Sequence, residues 1–289
     1  MRNIVNKIGA LKKILIIGVN SKVAAQLALI YLQGKIEVFG VIRQCSNNVP
    51  VGVILIDYDE AARNAKDFDL VYLIAAYIPI GNSVDTVQLI ESNILLPAKT
   101  VRDFVDSRVV FTSSVSVYCN NVTVAKEDTP TLGDTLYGQS KIMAERLIAI
   151  HPNSVVLRIS SIYGPDSHNT SFVTRIINQA KRAGIITLFG DGQRKQNYIC
   201  INDVVDYLYL AGLGDMKGNF LAVSDISYSN KQIASFVCKS CAGTVIEFKG
   251  IDDSPSFKYD NSLSKRVFDK KPAQEIIKAI EELVNEKHS

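Results

Sequence analysis

Residues 14–24 read Ile14-Leu15-Ile16-Ile17-Gly18-Val19-Asn20-Ser21-Lys22-Val23-Ala24. The opening apolar, β-branched run marks a strand buried on both faces. Gly18 permits a sharp turn. Val23, Leu27, Ile30 and Tyr31 then recur at helical spacing. Strand, glycine turn and helix in direct succession aim the first N–H groups of the helix at the carboxyl end of the strand. That place suits a dinucleotide pyrophosphate, held by backbone donors and the helix dipole. The loop has the spacing G-x-x-G-x-x-G but carries Gly18, Ser21 and Ala24 at its three positions. Ala24 still allows close helix–strand packing. Ser21 places a side chain where backbone would approach phosphate, with a hydroxyl that can itself donate. Gly18, Asn20, Ser21, Lys22 and Val23 are the candidate phosphate-binding residues. Alone, the loop is equally compatible with a plain strand–helix turn.

Working outward, the alternation continues. Val38 to Ile42, Val53 to Ile56, Leu70 to Ala75, Val109 to Phe111 and Ser154 to Ile159 read as further strands. Ala61 to Lys66, Val84 to Val105 and Tyr137 to Ile150 carry helical periodicity. Pro97 is expected to kink or divide the second of these helices, and Pro152 to stop the third. Apolar strands separated by helices predict an α/β fold, a doubly wound parallel sheet of six strands. After Gly164-Pro165 the pattern loosens. Phe172 to Gly184 reads as helix, and Ile186 to Phe189 and Tyr198 to Ile201 as strands. Asn202 to Leu213 reads as a helix capped by Asn202, and Pro272 to Glu286 as a last helix with an apolar stripe. Residues 1–164 are thus expected to form the sheet domain. Residues 165–289 are expected to form a smaller C-terminal lobe over its carboxyl edge, with some elements returning to the sheet.

The 289 residues are 47% hydrophobic and 21% charged, with a net charge of +3, ordinary values that give no argument for nucleic acid. No apolar run approaches the roughly 18 residues of a membrane span, so no membrane association is expected. Ile14 to Val19 is too short for a signal-peptide core. Cys45, Cys119, Cys200, Cys238 and Cys241 are odd in number and scattered, which points to a reducing cytoplasm. Cys238 and Cys241 form a lone C-x-x-C with no second pair and no nearby histidine. They read as two small helix residues, and no metal site is expected.

The second strand ends Gly40-Val41-Ile42-Arg43, with no acid nearby to take a ribose hydroxyl. An arginine there can pair with the 2′-phosphate of NADP, so NADP(H) is favoured, with NAD(H) as the alternative. The plainer reading is a solvated strand-end arginine.

Tyr137-Gly138-Gln139-Ser140-Lys141 places a tyrosine and a lysine on one face of a helix. A nearby ammonium stabilises the phenolate and makes tyrosine a usable proton-transfer group. About one such spacing is expected by chance in a chain of this composition, and Tyr31 with Lys35 is a second instance. Context separates the two. Ser114 stands at the carboxyl end of the fifth strand and Tyr137 begins the next helix, whereas Tyr31 lies far from the ligand edge. A strand-end serine can hydrogen-bond a substrate oxygen while the tyrosine moves its proton.

These residues resemble the NAD-dependent epimerase/dehydratase family, the extended short-chain dehydrogenases. The likeness runs from Ile14 to the last helix, through Leu73-Ile74-Ala75-Ala76, Leu157-Arg158-Ile159-Ser160-Ser161-Ile162-Tyr163-Gly164-Pro165, Phe189-Gly190-Asp191-Gly192 and Ile201-Asn202-Asp203-Val204-Val205. The resemblance implies a Rossmann domain with a substrate-binding lobe, a nucleotide-sugar substrate and a homodimer built on the helices around Val84–Val105 and Tyr137–Ile150. It implies Ser114, Tyr137 and Lys141 as the catalytic triad, Asp57 beside the adenine, and Ala75 and Ala76 lining the cofactor. Ser161 stands where many members have a substrate-contacting asparagine. The family's diphosphate arginine falls at Gln196, leaving Arg194 as the candidate. Asp203 is more structural than catalytic.

Absences narrow the reaction. Family 4,6-dehydratases follow the strand-end residue with Asp-Glu, and two-carbon epimerases carry a cysteine two residues on. This chain has Val115-Ser116. His168 reads as a solvated loop residue. What remains is chemistry at one carbonyl: NADPH-dependent reduction of a 4-keto(-6-deoxy) sugar nucleotide with Tyr137 as proton donor, or 4-epimerisation with bound NAD. The incomplete glycine loop motivates a reading of another class, a non-catalytic NADP sensor.

Overall fold

The computed structural model describes residues 11–44, 46–79, 83–120, 122–164, 171–272 and 276–285. Its strands are β1 (Lys13–Ile17), β2 (Glu37–Val41), β3 (Ile54–Leu55), β4 (Leu70–Leu73), β5 (Arg108–Ser114) and β6 (Ser154–Ile159), followed by β7 (Ser161–Tyr163), β8 (Ile185–Phe189), β9 (Lys195–Cys200), β10 (Gly218–Ala222), β11 (Ser227–Ser229) and β12 (Val245–Lys249). A seven-stranded sheet has the order β10-β6-β5-β4-β1-β2-β3. β1 pairs in parallel with both β2 and β4, so the chain winds one way from β1 and then back from β4. The switch point lies between β1 and β4, where the ends of two neighbouring strands diverge and open sheets bind ligands. The sheet has seven strands where the sequence suggested six. The seventh, β10, is short and begins at a glycine, so its apolar run did not stand out.

The chain divides into two units. One comprises the chain up to Cys119, Pro130–Arg158 and Val205–Leu221; the other comprises Asn120–Thr129, Ile159–Val204 and the chain from Ala222 onward. The helix Ile201–Leu213 returns to the first unit from Val205 onward and is fastened there to the sheet. Arg108 Nε donates to the carbonyl of Ala211 at 2.8 Å, and Tyr72 Oη donates to that of Leu208 at 3.1 Å. Leu15, Val71, Phe104, Phe111, Ile148 and Val156 form one core cluster. Each such side chain contributes roughly 1.5–3 kcal/mol when fully buried. The second unit contains a three-stranded sheet, β11-β9-β7, and a two-stranded one, β12-β8.

Local chemistry sets several boundaries differently from the sequence pattern. Asp57 caps the helix Tyr58–Arg63 by accepting from Glu60 N at 2.7 Å, so this helix starts before Ala61. Asn202 lies inside the helix Ile201–Leu213 and not at its cap. The stretch expected to be divided by Pro97 runs as α-helix Thr86–Ile90, a π turn Glu91–Leu95 and α-helix Leu96–Asp103. Proline lacks the N–H that would bond the carbonyl four residues back, here Asn93, and the wide turn absorbs that loss without breaking the helix. The described part of the last helix is Ile276–Asn285. Among the described residues no helix is long and apolar enough to cross a membrane. His168 and Cys45 lie outside them.

Candidate functional site

The turn after β1 is built on Gly18, whose φ is +90°. A Cβ there would come within 2.6 Å of Ala75 N, so the close approach of the turn to the end of β4 requires glycine. Ser21 caps the helix Lys22–Gln33 by accepting from Ala24 N at 3.2 Å. That bond uses the oxygen and leaves the hydroxyl proton able to donate. Ala24 is fully buried, in keeping with the tight packing its position demands. Asn20, Lys22 and Val23 complete the turn and the first helical positions.

Around this turn the other expected residues line the carboxyl ends of the strands. Ala75 N donates to Ile17 O at 2.8 Å, knitting the ends of β4 and β1 together, and Ala76 follows it. Arg43 is exposed just past β2 and donates to Ser92 Oγ at 3.3 Å. With its amide correctly oriented, Gln88 also accepts from Arg43 at 2.9 and 3.1 Å. Asp57 lies beyond β3, exposed, with one carboxylate oxygen engaged as the helix cap.

Ser114, Tyr137 and Lys141 come together at the end of β5. The helix Leu136–Ile148 is capped by Thr135 and starts hard against the turn after Ser114. It can do so because residue 138 is glycine; a Cβ at Gly138 would collide with the carbonyl oxygen of Ser116. Burial pushes the Tyr137 phenol up to about 12, and a hydrogen bond with Ser114 opposes the shift. Lys141 is 2% exposed. Its Nζ donates to Thr112 O at 2.9 Å and lies 4.8 Å from the centre of the Phe111 ring and 5.9 Å from that of Tyr137. Burial lowers its ammonium to about 8, and the Glu145 charge opposes the shift. The second tyrosine–lysine spacing is different: Tyr31 is buried against Tyr72, their hydroxyls 2.6 Å apart, and is part of the core.

Ser161 and Arg194 belong to the second unit. Ser161 is exposed on β7, opposite Tyr198 of β9. Arg194 is half-buried, with Nε 3.4 Å from Pro255 O. Gln196, in the place of the family's arginine, donates to Asn230 Oδ1 at 2.9 Å. The Tyr198 hydroxyl is buried with no hydrogen-bond partner among the described residues, and Arg194 and Arg175 lie near enough to oppose the upward pull of burial on its phenol. Asp203 is buried in an ion pair with Lys270 at 3.0 Å, a structural role. Cys238 and Cys241 are free thiols at the end of the helix Asn230–Ser240, and no metal-ligating cluster occurs among the described residues.

Residues 14–215 match the model of the NAD dependent epimerase/dehydratase family. The chain belongs to that family. Among its relatives, a dTDP-D-glucose 4,6-dehydratase of Dictyostelium discoideum is 24% identical over 264 residues, covering 78% of this chain and 61% of the relative. A UDP-glucose 4-epimerase of Mycolicibacterium smegmatis is 29% identical over 207 residues, covering 65% and 63%. The chain thus spans less than two thirds of the length of these relatives. The crystal structure of UDP-glucuronic acid 4-epimerase from Bacillus cereus, in complex with NAD, superposes with a TM-score of 0.82 at 19% identity, covering 95% of this chain and 100% of that one.

In this epimerase/dehydratase chain the structure adds residues that the sequence reading passed over. Asn93, in the π turn, is 1% exposed. It bonds both backbone groups of Tyr77, at 2.8 and 2.9 Å, and donates to Ser140 Oγ at 3.1 Å, so it ties the segment after β4 to the helix of Tyr137. Glu145 accepts from Ser113 Oγ at 2.6 Å and forms an ion pair with Arg158 at 2.8 Å. Arg158 also donates to Tyr118 Oη at 2.8 Å. The available signal for Glu145 was its spacing, one further turn beyond Tyr137 and Lys141. Asn93 offered only a polar residue inside an apolar helical stretch.

Proposed function

We propose that this protein is an NAD(P)-dependent oxidoreductase of nucleotide-linked sugars that reduces a 4-keto(-6-deoxy) sugar with NADPH. The observation that carries the reading is the half-buried Tyr137 beside the buried Lys141, with Ser114 hydrogen-bonded to the phenol. Burial holds the phenol at about 12, the opposite direction from the lowering expected of a nearby ammonium, so Tyr137 keeps its proton at neutral pH and the lowering has to come with the bound dinucleotide. Ser114 orients the carbonyl oxygen, and Lys141 stabilises the phenolate as its proton leaves. The Gly18 turn, the first turn of the helix Lys22–Gln33, Ala75 and Ala76 would hold the dinucleotide, which supplies the hydride when bound, and Asp57 would lie by its adenine. Arg43, exposed beyond β2, suits a 2′-phosphate. No carboxylate follows Ser114 on the turn Val115–Val117, which disfavours loss of water. On the second unit, Ser161 and Arg194 are the proposed substrate contacts; Arg194 and Arg175, both close to Tyr198, suit an anionic group such as a diphosphate. Homodimerisation through the helices Thr86–Asp103 and Leu136–Ile148 fits the exposed Val87, Ile90, Leu95 and Met143. The free described cysteines suit the cytoplasm.

The relatives support a second reading, a 4-epimerase that retains NAD and returns the hydride to the opposite face. The test offers purified protein a panel of nucleotide-linked 4-keto-6-deoxy sugars with NADPH or NADH, with Tyr137→Phe as control. Tyr137-dependent oxidation of NADPH supports the reductase. NAD released on denaturation, without oxidation of added cofactor, supports the epimerase. Nucleotide binding with neither activity favours a sensor.

A further inference from the structure

Three successive turns of the helix Leu136–Ile148 present Tyr137, Lys141 and Glu145 on one face. Each is fastened to a different residue at the end of β5. Tyr137 meets Ser114, Lys141 donates to Thr112 O, and Glu145 accepts from Ser113 Oγ. The last rung extends further, because Arg158 of β6 reaches both Glu145 oxygens, with Nε at 3.0 Å and Nη2 at 2.8 Å. Ser113, Lys141, Glu145 and Arg158 are all at least nine-tenths buried.

A buried ion pair is a weak source of stability, because desolvating two charges offsets much of their attraction. The packing of a helix against two strands needs no charge at all. What the carboxylate does provide is a negative group one turn from a buried lysine. The other groups facing that lysine are the Phe111 ring and Thr112 carbonyl of β5 and the Tyr137 ring of its own helix. Arg158 is bonded to Glu145 itself. We propose that Glu145 is a positioning residue for the Tyr137–Lys141 pair, fixing the register of the helix on β5 and supplying the countercharge that keeps the buried lysine an ammonium. The inference rests on the proton-transfer role proposed for those two residues, but its test does not require the substrate.

The experiment labels the whole protein with lysine enriched in ¹³C at Cε, assigns Lys141 by its loss in Lys141→Met, and follows its titration by NMR. Three variants are compared: Glu145→Gln, Glu145→Asp, and the double variant Glu145→Gln/Arg158→Met, which leaves no charge buried alone. The wild-type midpoint is expected near 8. In Glu145→Gln it falls by at least half a pH unit. In Glu145→Asp, which keeps the charge on a shorter arm, it falls by less, and in the double variant, which loses a positive charge along with the negative one, it lies closer to wild type than in Glu145→Gln. A folded Glu145→Gln with an unmoved Lys141 midpoint overturns the proposal, since a purely structural Glu145 would change thermal stability and leave the titration in place. Should Glu145→Gln fail to fold, Glu145→Asp decides: a midpoint below the wild-type value supports the proposal and an unmoved one overturns it. Failure to turn over any sugar would count against the proposed function and leave this measurement intact.

Discussion

Lys141 Nζ rests against the carbonyl oxygen of Thr112 at 2.9 Å, inside a helix–sheet interface that gives it almost no water. Its ammonium has been moved from 10.5 to about 8, so the unfolded chain binds that proton more tightly than the folded one. Between these two pH values the unfolded state carries more protons, and stability rises with pH; below pH 8 the full cost of burying the charge is present. Lys141→Met is therefore expected to stabilise the fold at pH 7 by on the order of 1–3 kcal/mol, with the gain shrinking toward pH 10.5. Urea midpoints at pH 7 and pH 9.5 check this. Equal differences from wild type at both pH values would contradict it.

Tyr137→Phe removes one hydroxyl from the site and leaves the ring in place. Turnover is expected to fall by roughly 10²–10⁴, with nucleotide affinity unchanged. Single-turnover kinetics beside a nucleotide-binding titration separate the two. A variant that keeps its rate would remove Tyr137 from the chemistry.

Gly138→Ala puts a methyl group into the Ser116 carbonyl and must push the helix away from the end of β5. A stability loss of about 2 kcal/mol or more is expected, as for a strained or overpacked core site. Catalytic loss should exceed the loss of folded protein, because Tyr137 moves with the helix. Gly184→Ala is a contrast: its Cβ meets nothing within 4 Å but its φ is +65°, so only backbone strain is expected and no loss specific to the site. Thermal melts and rates on both variants test the pairing.

Asn93→Ala deletes three hydrogen bonds, one buried and two partly buried, and strands both backbone groups of Tyr77. A loss of roughly 1–3 kcal/mol is expected. Amide exchange at Tyr77 should accelerate by a larger factor than at Val71 in the sheet. Equal acceleration at both would show a global effect only.

Much of this architecture was readable from residue patterns, and the reasons differ by element. β1, β4 and β6 are continuous apolar runs, so periodicity found them. The Tyr137–Lys141 pair was legible because both strand and helix context supported a common spacing. The π turn was not, since Pro97 predicts a disturbance without saying that an extra residue in the turn will absorb it. Asn202 was misjudged as a cap because capping depends on backbone angles that composition does not encode. Glu145 and Arg158 are distant in sequence, and only the packing of the helix on β5 and β6 shows that they meet. Ser161 and Arg194 were singled out only through the family resemblance, and their neighbours, Tyr198 above all, come from tertiary structure.

The position of β10 has a consequence for biosynthesis. It occupies one border of the large sheet beside β6, yet it is translated after the whole segment that builds β7, β8 and β9. A nascent chain that has emerged only as far as Gly164 therefore holds β6 as a raw border with open backbone donors and acceptors, the condition in which strands recruit neighbours from other chains. Folding of the unit that holds the large sheet has to wait for residues past Ala222 to clear the ribosome, and truncation near the middle of the gene would yield an aggregation-prone fragment in place of a small stable domain.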